Sequence, residues 1–248
     1  MVTNGDDLTA TVCGTVGRVN KLVNVTAVSG RYVAQAGDVV VGRVVEISGK
    51  RWGVDIGGVQ EAVLMLSSVT IPGVQRRHTA EDELNMRTLL AEGDLLSAEV
   101  QSTFRDAGVS LQTRTSKFGR LGEGQVVRVP PSLVKRLKHH ITEVPGHPVG
   151  VVLGTNGLVW LGPRRGEGED APPTQEEREE TARAAMAVRA LARCHVLISP
   201  PSVARVLAAA AESAVPARDM LSARFLRRLL ADEAARQQAE AGGGADAA

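Results

Sequence analysis

The sequence is poor in aromatic side chains, which make up only 2% of its 248 residues. The six are Tyr32, Trp52, Phe104, Phe118, Trp160 and Phe225. An RNA-recognition motif stacks bases on two or three aromatic rings of one sheet, and an aromatic cage also needs several rings. Either kind of site would use most of this supply, so the composition argues against both.

Long hydrophobic runs and paired cysteines are also missing. No stretch approaches the roughly 18 apolar residues that a transmembrane helix needs. Residues 1–10 carry Asp6 and Asp7 and lack the apolar core of a secretory signal. The two cysteines, Cys13 and Cys194, are too few for a disulfide framework and fit a reducing compartment. We therefore expect an intracellular protein.

Catalytic and metal-binding motifs cannot be found. The five histidines include no H-x-x-x-H pair, and there is no nucleophile elbow, phosphate-binding loop, kinase or metalloprotease signature. Asp55 and Glu61 come near each other across a predicted hairpin, but exposed carboxylates at such a place are usually solvated surface. We expect neither an enzyme nor a bound cofactor or metal.

The net charge of +1 conceals an uneven distribution. Residues 116–165 hold eight lysines and arginines against two acidic residues. A local cationic face is typical of proteins that bind a polyanion or an acidic partner. The alternative is a solvated surface that a neighbouring acidic element neutralises, and the charge alone favours neither.

The first half of the chain has the composition of β-strands. Short β-branched stretches separated by glycine and asparagine predict a small β-rich domain over residues 1–36. Five further runs follow, at residues 39–47, 52–56, 60–66, 94–100 and 108–111, with a helical stretch at 79–90 between the third and fourth. Thr79 with Asp82 resembles a helix N-terminal cap. This order predicts a five-stranded barrel of the OB type over residues 37–115, with another small β-barrel as the alternative.

A Gly-Asp pair opens both the first and the fourth of these runs, at Gly37-Asp38 and Gly93-Asp94. Glycine permits a tight reversal of the chain, and an aspartate beside it can accept hydrogen bonds from nearby backbone amides. We therefore predict two similar turns that lead into the barrel.

The remainder of the chain mixes strands and helices. Strands are predicted at 125–129, 149–153 and 158–161, and Leu133, Val134 and Leu137 share a helical face. Thr174 with Glu177 forms a capping-box signature that opens a helix reaching about Val196. Two more helices are predicted at 202–211 and 216–239, before a flexible tail at 241–248.

The loop Gly154-Thr155-Asn156-Gly157 matches the G-x-x-G pattern with which KH domains clamp a nucleic-acid backbone. That clamp joins two helices, whereas this loop lies between two apolar strand-like runs and carries no charge. Asn-Gly between such runs predicts a hairpin turn, since both residues tolerate a positive φ angle. The local chemistry thus favours a structural turn over a phosphate clamp.

Trp52 follows two cations, Lys50 and Arg51, on a predicted barrel strand. An aromatic ring in this setting can stack on a base while the cations hold phosphate. The equal alternative is that the ring packs into the barrel or against a partner. The loop cluster of Arg76, Arg77 and His78 has the same two interpretations, because loop cations more often position a backbone than read bases.

Six ordered stretches carry a family resemblance: GRVNKL at 17–22, GDVVVGR at 37–43, KRW at 50–52, AEDELNMR at 80–87, EGDLLSAEV at 92–100 and PSLVKR at 131–136. They resemble the ribosomal RNA-processing protein 4 family of the eukaryotic RNA exosome. Residues 37–115 resemble an S1 RNA-binding domain. Residues 154–157, followed by Leu158-Val159-Trp160, resemble the KH module of exosome cap proteins.

The resemblance implies an α+β multidomain fold: an N-terminal β domain (1–36), an S1 barrel (37–115) and a KH-like domain with C-terminal helices (116–240). It implies a non-catalytic cap subunit that binds RNase-PH-like ring subunits and the other S1/KH cap subunits. Such a subunit guides single-stranded RNA into the channel for 3′-to-5′ processing and decay, in the nucleus, the nucleolus and the cytoplasm.

The resemblance leaves the role of the basic stretch open. Lys135, Arg136 and Lys138 are candidates for RNA contact, but they can equally face an acidic ring subunit. The alternative to the whole assignment is a stand-alone S1/KH RNA-binding module that acts outside an exosome.

Overall fold

The computed structural model describes residues 2–5, 7–27, 30–69, 85–104, 108–115, 117–164 and 172–243. Within this part of the chain, the strands are β1 (Val2–Asn4), β2 (Asp7–Thr9), β3 (Gly14–Val19), β4 (Leu22–Ala27), β5 (Val39–Ser48), β6 (Arg51–Asp55), β7 (Ala62–Val69), β8 (Leu95–Thr103), β9 (Val109–Thr113), β10 (Gly119–Arg120), β11 (Gln125–Arg128), β12 (Ile141–Glu143), β13 (Val149–Leu153) and β14 (Leu158–Pro163). The helices are α1 (Met86–Leu89), α2 (Gln175–Arg193), α3 (Pro200–Glu212) and α4 (Ala223–Gly243).

Strands β5 to β9 close into a five-stranded barrel. The strand order is β8-β5-β6-β7-β9, and β8 pairs with β9 to complete the circle. Among the barrel strands, only β7 and β9 pair in parallel. The short strand β10 is not one of the five barrel strands and pairs antiparallel with β8. Alternate side chains point inward, so Trp52, Leu64 and Leu111 are buried in a common core. The five predicted strands and the OB-type barrel are confirmed.

The predicted helix at 79–90 is described only at its end. Helix α1 covers Met86–Leu89, and Met86 is buried against the barrel core. The predicted cap at Thr79 and Asp82 lies outside the described residues.

Both Gly-Asp turns form as predicted. Gly37 and Gly93 take φ angles of +87° and +95°. Asp38 accepts a hydrogen bond from the amide of Gln35 at 3.1 Å, and Asp94 accepts one from the amide of Ala91 at 2.9 Å. Each turn therefore ties its strand to the segment that precedes it.

The second sheet is antiparallel, with the order β11-β14-β13-β12. Helix α2 packs on one of its faces and α3 packs against α2, and the apolar side chains of both helices share a core with the sheet. Val127, Val151 and Val159 belong to this core, together with Val188 and Leu207 of the helices. The predicted strands at 125–129, 149–153 and 158–161 are confirmed, and β12 is an additional strand.

The predicted helical face at Leu133, Val134 and Leu137 is wrong. Residues Pro131–Leu133 form one 3-10 turn, after which the chain is extended. Val134 makes a parallel bridge to Ile198, whose amide donates to the carbonyl of Leu133 at 2.7 Å. This pairing keeps the segment extended, because its backbone groups form hydrogen bonds with Ile198 and not with one another in a helix.

The C-terminal helices follow the prediction closely. Thr174 and Glu177 make both bonds of the capping box, and α2 ends at Arg193. The predicted helices at 202–211 and 216–239 correspond to α3 and, after a 3-10 turn at Ala217–Asp219, to α4. Among the described residues, no helix has both the length and the hydropathy to cross a membrane.

The N-terminal region forms two separate hairpins, β1–β2 and β3–β4. Each is a two-stranded sheet without a third strand. Val16, Val19 and Leu22 in the second hairpin are 66–68% exposed. Within the described part of the chain, these three side chains therefore do not pack into a hydrophobic core.

Candidate nucleic-acid interface

The loop at 154–157 is a tight turn between β13 and β14. The amide of Gly157 donates to the carbonyl of Gly154 at 2.9 Å, and the amide of Gly154 donates to the carbonyl of Leu158 at 3.0 Å. Gly157 has a φ angle of +82°, and a Cβ there would collide with the carbonyl of Val129. Asn156 is not among the described residues with positive φ, so only the glycine needs that conformation.

Asn156 reaches from this turn into the edge of the barrel. Its amide nitrogen donates to the carbonyls of Val41 at 2.7 Å and Ile56 at 2.8 Å, and its oxygen accepts from the amide of Val41 at 3.3 Å. Strand β6 pairs with β5 only from Arg43 onward. The side chain therefore bonds polar groups of β5 that lie beyond the end of β6, and it is only 6% exposed.

Thr155 extends the same contact along β5. Its amide and its hydroxyl both donate to the carbonyl of Val39, at 2.9 and 3.0 Å. The central residues of the G-x-x-G loop are thus buried against the barrel, and their polar groups bond protein. This arrangement gives the loop a structural role and leaves no surface on Asn156 for a phosphate.

A second group of contacts surrounds Asp38, which is 5% exposed. Tyr32 donates its hydroxyl to this carboxylate at 2.7 Å, and the guanidinium of Arg136 lies 3.3 Å from it. Burial raises the pKa of Tyr32 well above its usual range, and the hydrogen bond to Asp38 adds to the increase. Residues from the linker, from the start of the barrel and from the segment between β11 and β12 therefore meet at one carboxylate.

We use the name S1–KH seam for these contacts of Tyr32, Asp38, Arg136, Thr155 and Asn156. The hydrophobic cores on its two sides remain separate clusters. The seam is joined by hydrogen bonds and an ion pair, which specify one relative orientation because their geometry is directional.

Comparison with known proteins gives a consistent result. The family model described as RRP4, S1 domain matches residues 31–102, and the KH domain model matches residues 124–166. The exosome complex component RRP4 of Saccharomyces cerevisiae is 53% identical over 158 residues, which is 63% of this chain and 44% of that protein. The Bos taurus component is 50% identical over 166 residues, covering 66% and 56%. The Arabidopsis thaliana homologue is 48% identical over 157 residues, covering 63% and 49%.

Over its S1 and KH regions, the chain is similar to exosome components of the RRP4 type. It spans about half the length of the curated relatives that it matches. The resemblance noted from the six short stretches is thereby confirmed over the S1 and KH regions.

The structure corrects one contact with RNA that the sequence led us to expect. Trp52 is 0% exposed, and its indole nitrogen donates to the carbonyl of Leu90 at 3.0 Å. Both faces of the ring pack in the barrel core, so it cannot stack on a base. Of the two interpretations of Trp52, packing into the barrel is correct and base stacking is wrong.

The predicted cations fall into separate places. Lys50 and Arg51 are exposed at the turn that joins β5 to β6, whereas Arg136 pairs with Asp38 at the opposite end of β5. Lys135 and Lys138 are exposed neighbours of Arg136 in the sequence. A straight ten-residue strand spans roughly 33 Å, so these clusters are not one site. Arg76, Arg77 and His78 lie outside the described residues. RNA contact by any of these cations stays a prediction.

Sequence reasoning missed the partners of Asn156 and Asp38. Asn156 bonds Val41, which is 115 positions away, and no local pattern signals a pairing at that distance. The one available signal was chemical: a turn with two polar residues and no charge between apolar strands has hydrogen-bonding groups that need partners when buried.

Proposed function

We propose that this chain is an RNA-binding cap subunit of an RNA exosome that performs no chemistry itself. The observation that carries the proposal is the identity of about 50% with exosome components over the S1–KH region. In that region the barrel and the second sheet are fixed to each other by buried hydrogen bonds. A rigid pair of nucleic-acid-binding domains suits a subunit that guides a strand towards a catalytic centre on other chains.

The N-terminal hairpin β3–β4 supports a protein partner. An isolated two-stranded hairpin is marginally stable in water, and this one exposes Val16, Val19 and Leu22. Contact with another subunit would remove these side chains from water and stabilise the hairpin. We propose that the partners are the RNase-PH-like ring subunits and the other S1/KH cap subunits.

The absence of catalysis is part of the proposal. The relatives are named as components of a complex, and the sequence carries none of the catalytic signatures sought above. We propose that other subunits cleave the RNA during ribosomal RNA processing and messenger RNA turnover. The proposed locations are the nucleus, the nucleolus and the cytoplasm, which imaging of a tagged chain would test.

Affinity purification tests the assembly. A tagged full-length chain is expected to recover RNase-PH-like subunits from extract of its own cells, and the recovered particle is expected to degrade single-stranded RNA. Recovery of the chain alone, as a monomer with strong RNA affinity, would instead support the stand-alone S1/KH module. RNA cleavage by the isolated chain would contradict the non-catalytic role.

Substitution of Lys50 and Arg51 by alanine tests the barrel turn as an RNA contact. We expect weaker RNA binding and a smaller dependence of affinity on salt, because each phosphate contact releases counterions. A double substitution of Arg224 and Arg227 by alanine on helix α4 removes the same charge elsewhere and serves as the control. An unchanged salt slope would show that Lys50 and Arg51 do not touch phosphate.

A further inference from the structure

An open cleft of about 440 Å³ lies along the S1–KH seam. Three parts of the chain line it: the linker at residues 30–32, the turn at Gly57 after β6, and the segment from Arg128 to Pro131 after β11. Asn156 also lines the cleft, with its amide group bonded to the barrel. The cleft exists only because the seam brings these segments together, and its volume is within the range of small-ligand sites.

Two arginines, Arg31 and Arg128, are the charged residues of this cleft. Both side chains are exposed, and neither has a hydrogen bond or ion pair with the described residues. The guanidinium of Arg128 extends over Gly57, since its Nη2 atom lies 4.0 Å from the position of a Cβ on that glycine. The nearest carboxylate along the chain, Asp55, accepts a hydrogen bond from the amide of Gly57 and does not line the cleft.

Two other arginines, by contrast, have carboxylate partners. Arg136 lies 3.3 Å from Asp38, and Arg120 lies 3.2 Å from Asp94. Two arginines in a concave site without a carboxylate attract an anion, because the low-dielectric walls concentrate their field. The planar guanidinium also binds phosphate through two parallel hydrogen bonds.

The surface next to Arg128 favours a nucleic acid over an acidic peptide. In the sheet register Arg128 lies opposite Leu158, and Val126 lies opposite Trp160. Directly paired residues share a face, so Arg128 and Trp160 lie on the same face, two residues apart along neighbouring strands. Trp160 is partly exposed, and its indole packs over Gly124 and Gly162 and not in the cleft. An aromatic side chain on the same face as a phosphate-binding cation suits a single-stranded nucleic acid, whose bases can stack on it.

We propose that Arg31 and Arg128 form a phosphate-binding subsite for single-stranded RNA at the S1–KH seam. The subsite holds one phosphodiester group between the two guanidinium groups, with room in the cleft for the attached nucleoside. This inference rests on the proposed function, because RNA is the ligand in both.

The test compares RNA binding by the full chain and by an Arg31→Gln/Arg128→Gln variant. The probe is a fluorescein-labelled uridine oligomer of about 12 nucleotides, within the length that an OB fold covers. Fluorescence anisotropy is measured over a series of salt concentrations. We expect roughly tenfold weaker binding and a log–log salt slope smaller by about 0.7, since each phosphate neutralised on a single strand contributes about 0.7 and the subsite holds one phosphate.

Two further variants make the test specific. Arg31→Lys/Arg128→Lys keeps both charges but loses the paired hydrogen bonds, so the salt slope should persist while the affinity falls. Arg224→Gln/Arg227→Gln removes two exposed charges from helix α4. It should reduce the affinity and the salt slope by less than Arg31→Gln/Arg128→Gln does. All variants should keep the thermal midpoint of the parent, because the substituted side chains are exposed.

The possible results separate the inference from the proposed function. RNA binding that is equal in the parent and the Arg31→Gln/Arg128→Gln variant would overturn the subsite alone. Equal weakening by the α4 variant would also overturn it, by showing a general charge effect. Displacement of the probe by polyglutamate as readily as by unlabelled RNA would indicate an acidic protein ligand instead. Failure of the parent chain both to bind the probe and to recover ring subunits would overturn both proposals.

Discussion

The S1–KH seam and the β3–β4 hairpin are built from similar residues but are stabilised differently. Both contain an asparagine within short runs of valine. At the seam, Asn156 is buried and bonds the barrel from 115 positions away. In the hairpin, Asn24 is exposed, and so are Val19 and Leu22. The bonds of the seam are therefore made within this chain, whereas the hairpin is where we propose that another subunit binds.

Among the substitutions that distinguish the seam from the hairpin, Asn156→Ala should have the largest effect on the free energy of unfolding. The substitution leaves the amide and carbonyl of Val41 and the carbonyl of Ile56 without their partner. Each unsatisfied buried group costs about 1–3 kcal/mol, so we expect the free energy of unfolding to fall by roughly 3 kcal/mol or more. Urea denaturation of the full chain measures this change.

The matched control for that substitution is Asn24→Ala in the hairpin. Because Asn24 is exposed, its replacement should change the free energy of unfolding by no more than about 0.5 kcal/mol. Equal effects at the two asparagines would contradict the difference between the regions. In this turn Gly157 has a positive φ angle and Asn156 does not, so the expected loss comes from hydrogen bonds and not from backbone strain.

Tyr32 gives the second-largest effect and a dependence on pH. It is the only tyrosine in the chain, so tyrosinate absorbance reports on this side chain alone. Burial and the bond to Asp38 raise its pKa in the folded state, whereas the unfolded chain titrates near 10. The contribution of Tyr32 is therefore fully present below pH 10 and declines as the pH rises further. We expect native protein to show little tyrosinate absorbance at a pH where urea-unfolded protein ionises.

Tyr32→Phe serves as the control for this titration. It removes one hydrogen bond to a buried carboxylate and should lower the free energy of unfolding by about 2 kcal/mol near neutral pH. The variant should also lose the part of the alkaline destabilisation that the hydroxyl causes. Tyrosinate absorbance in the folded protein at the ordinary pKa would show that Tyr32 is open to solvent and that the seam does not close.

Local patterns were sufficient to predict the parts of the fold that short-range contacts determine. The alternation of apolar and polar residues in 52–56 predicted a barrel strand, because a strand with one buried face repeats every two residues. The capping box at Thr174 and the Gly-Asp turn at Asp38 were predictable, since their bonds join residues three positions apart. These features need no knowledge of the rest of the chain.

The candidate site was less predictable because it is assembled from distant segments. Trp52 has the same local sequence whether it points into a barrel or out of it, and only the register of β6 places it inside. The extended segment at Val134 depends on its bridge to Ile198. Arg31 and Arg128 share a cleft only after the two domains dock. Each of these outcomes depends on contacts between distant parts of the chain, which the local pattern of apolar and polar residues does not reveal.

The smallest effect on stability should come from the hairpin, where Val19 and Leu22 pair across the β3–β4 turn. Both side chains are about two thirds exposed, so Val19→Ser/Leu22→Ser should change the unfolding of the S1–KH region by no more than about 0.5 kcal/mol. Recovery of ring subunits by the tagged variant should nevertheless fall strongly, because the apolar surface proposed to contact them is lost. Leu230→Ser, at an exposed position of α4, is the control and should leave that recovery intact. Full recovery with the hairpin variant would assign the protein contact to another surface, and a large loss of stability would show that the hairpin is held by this chain itself.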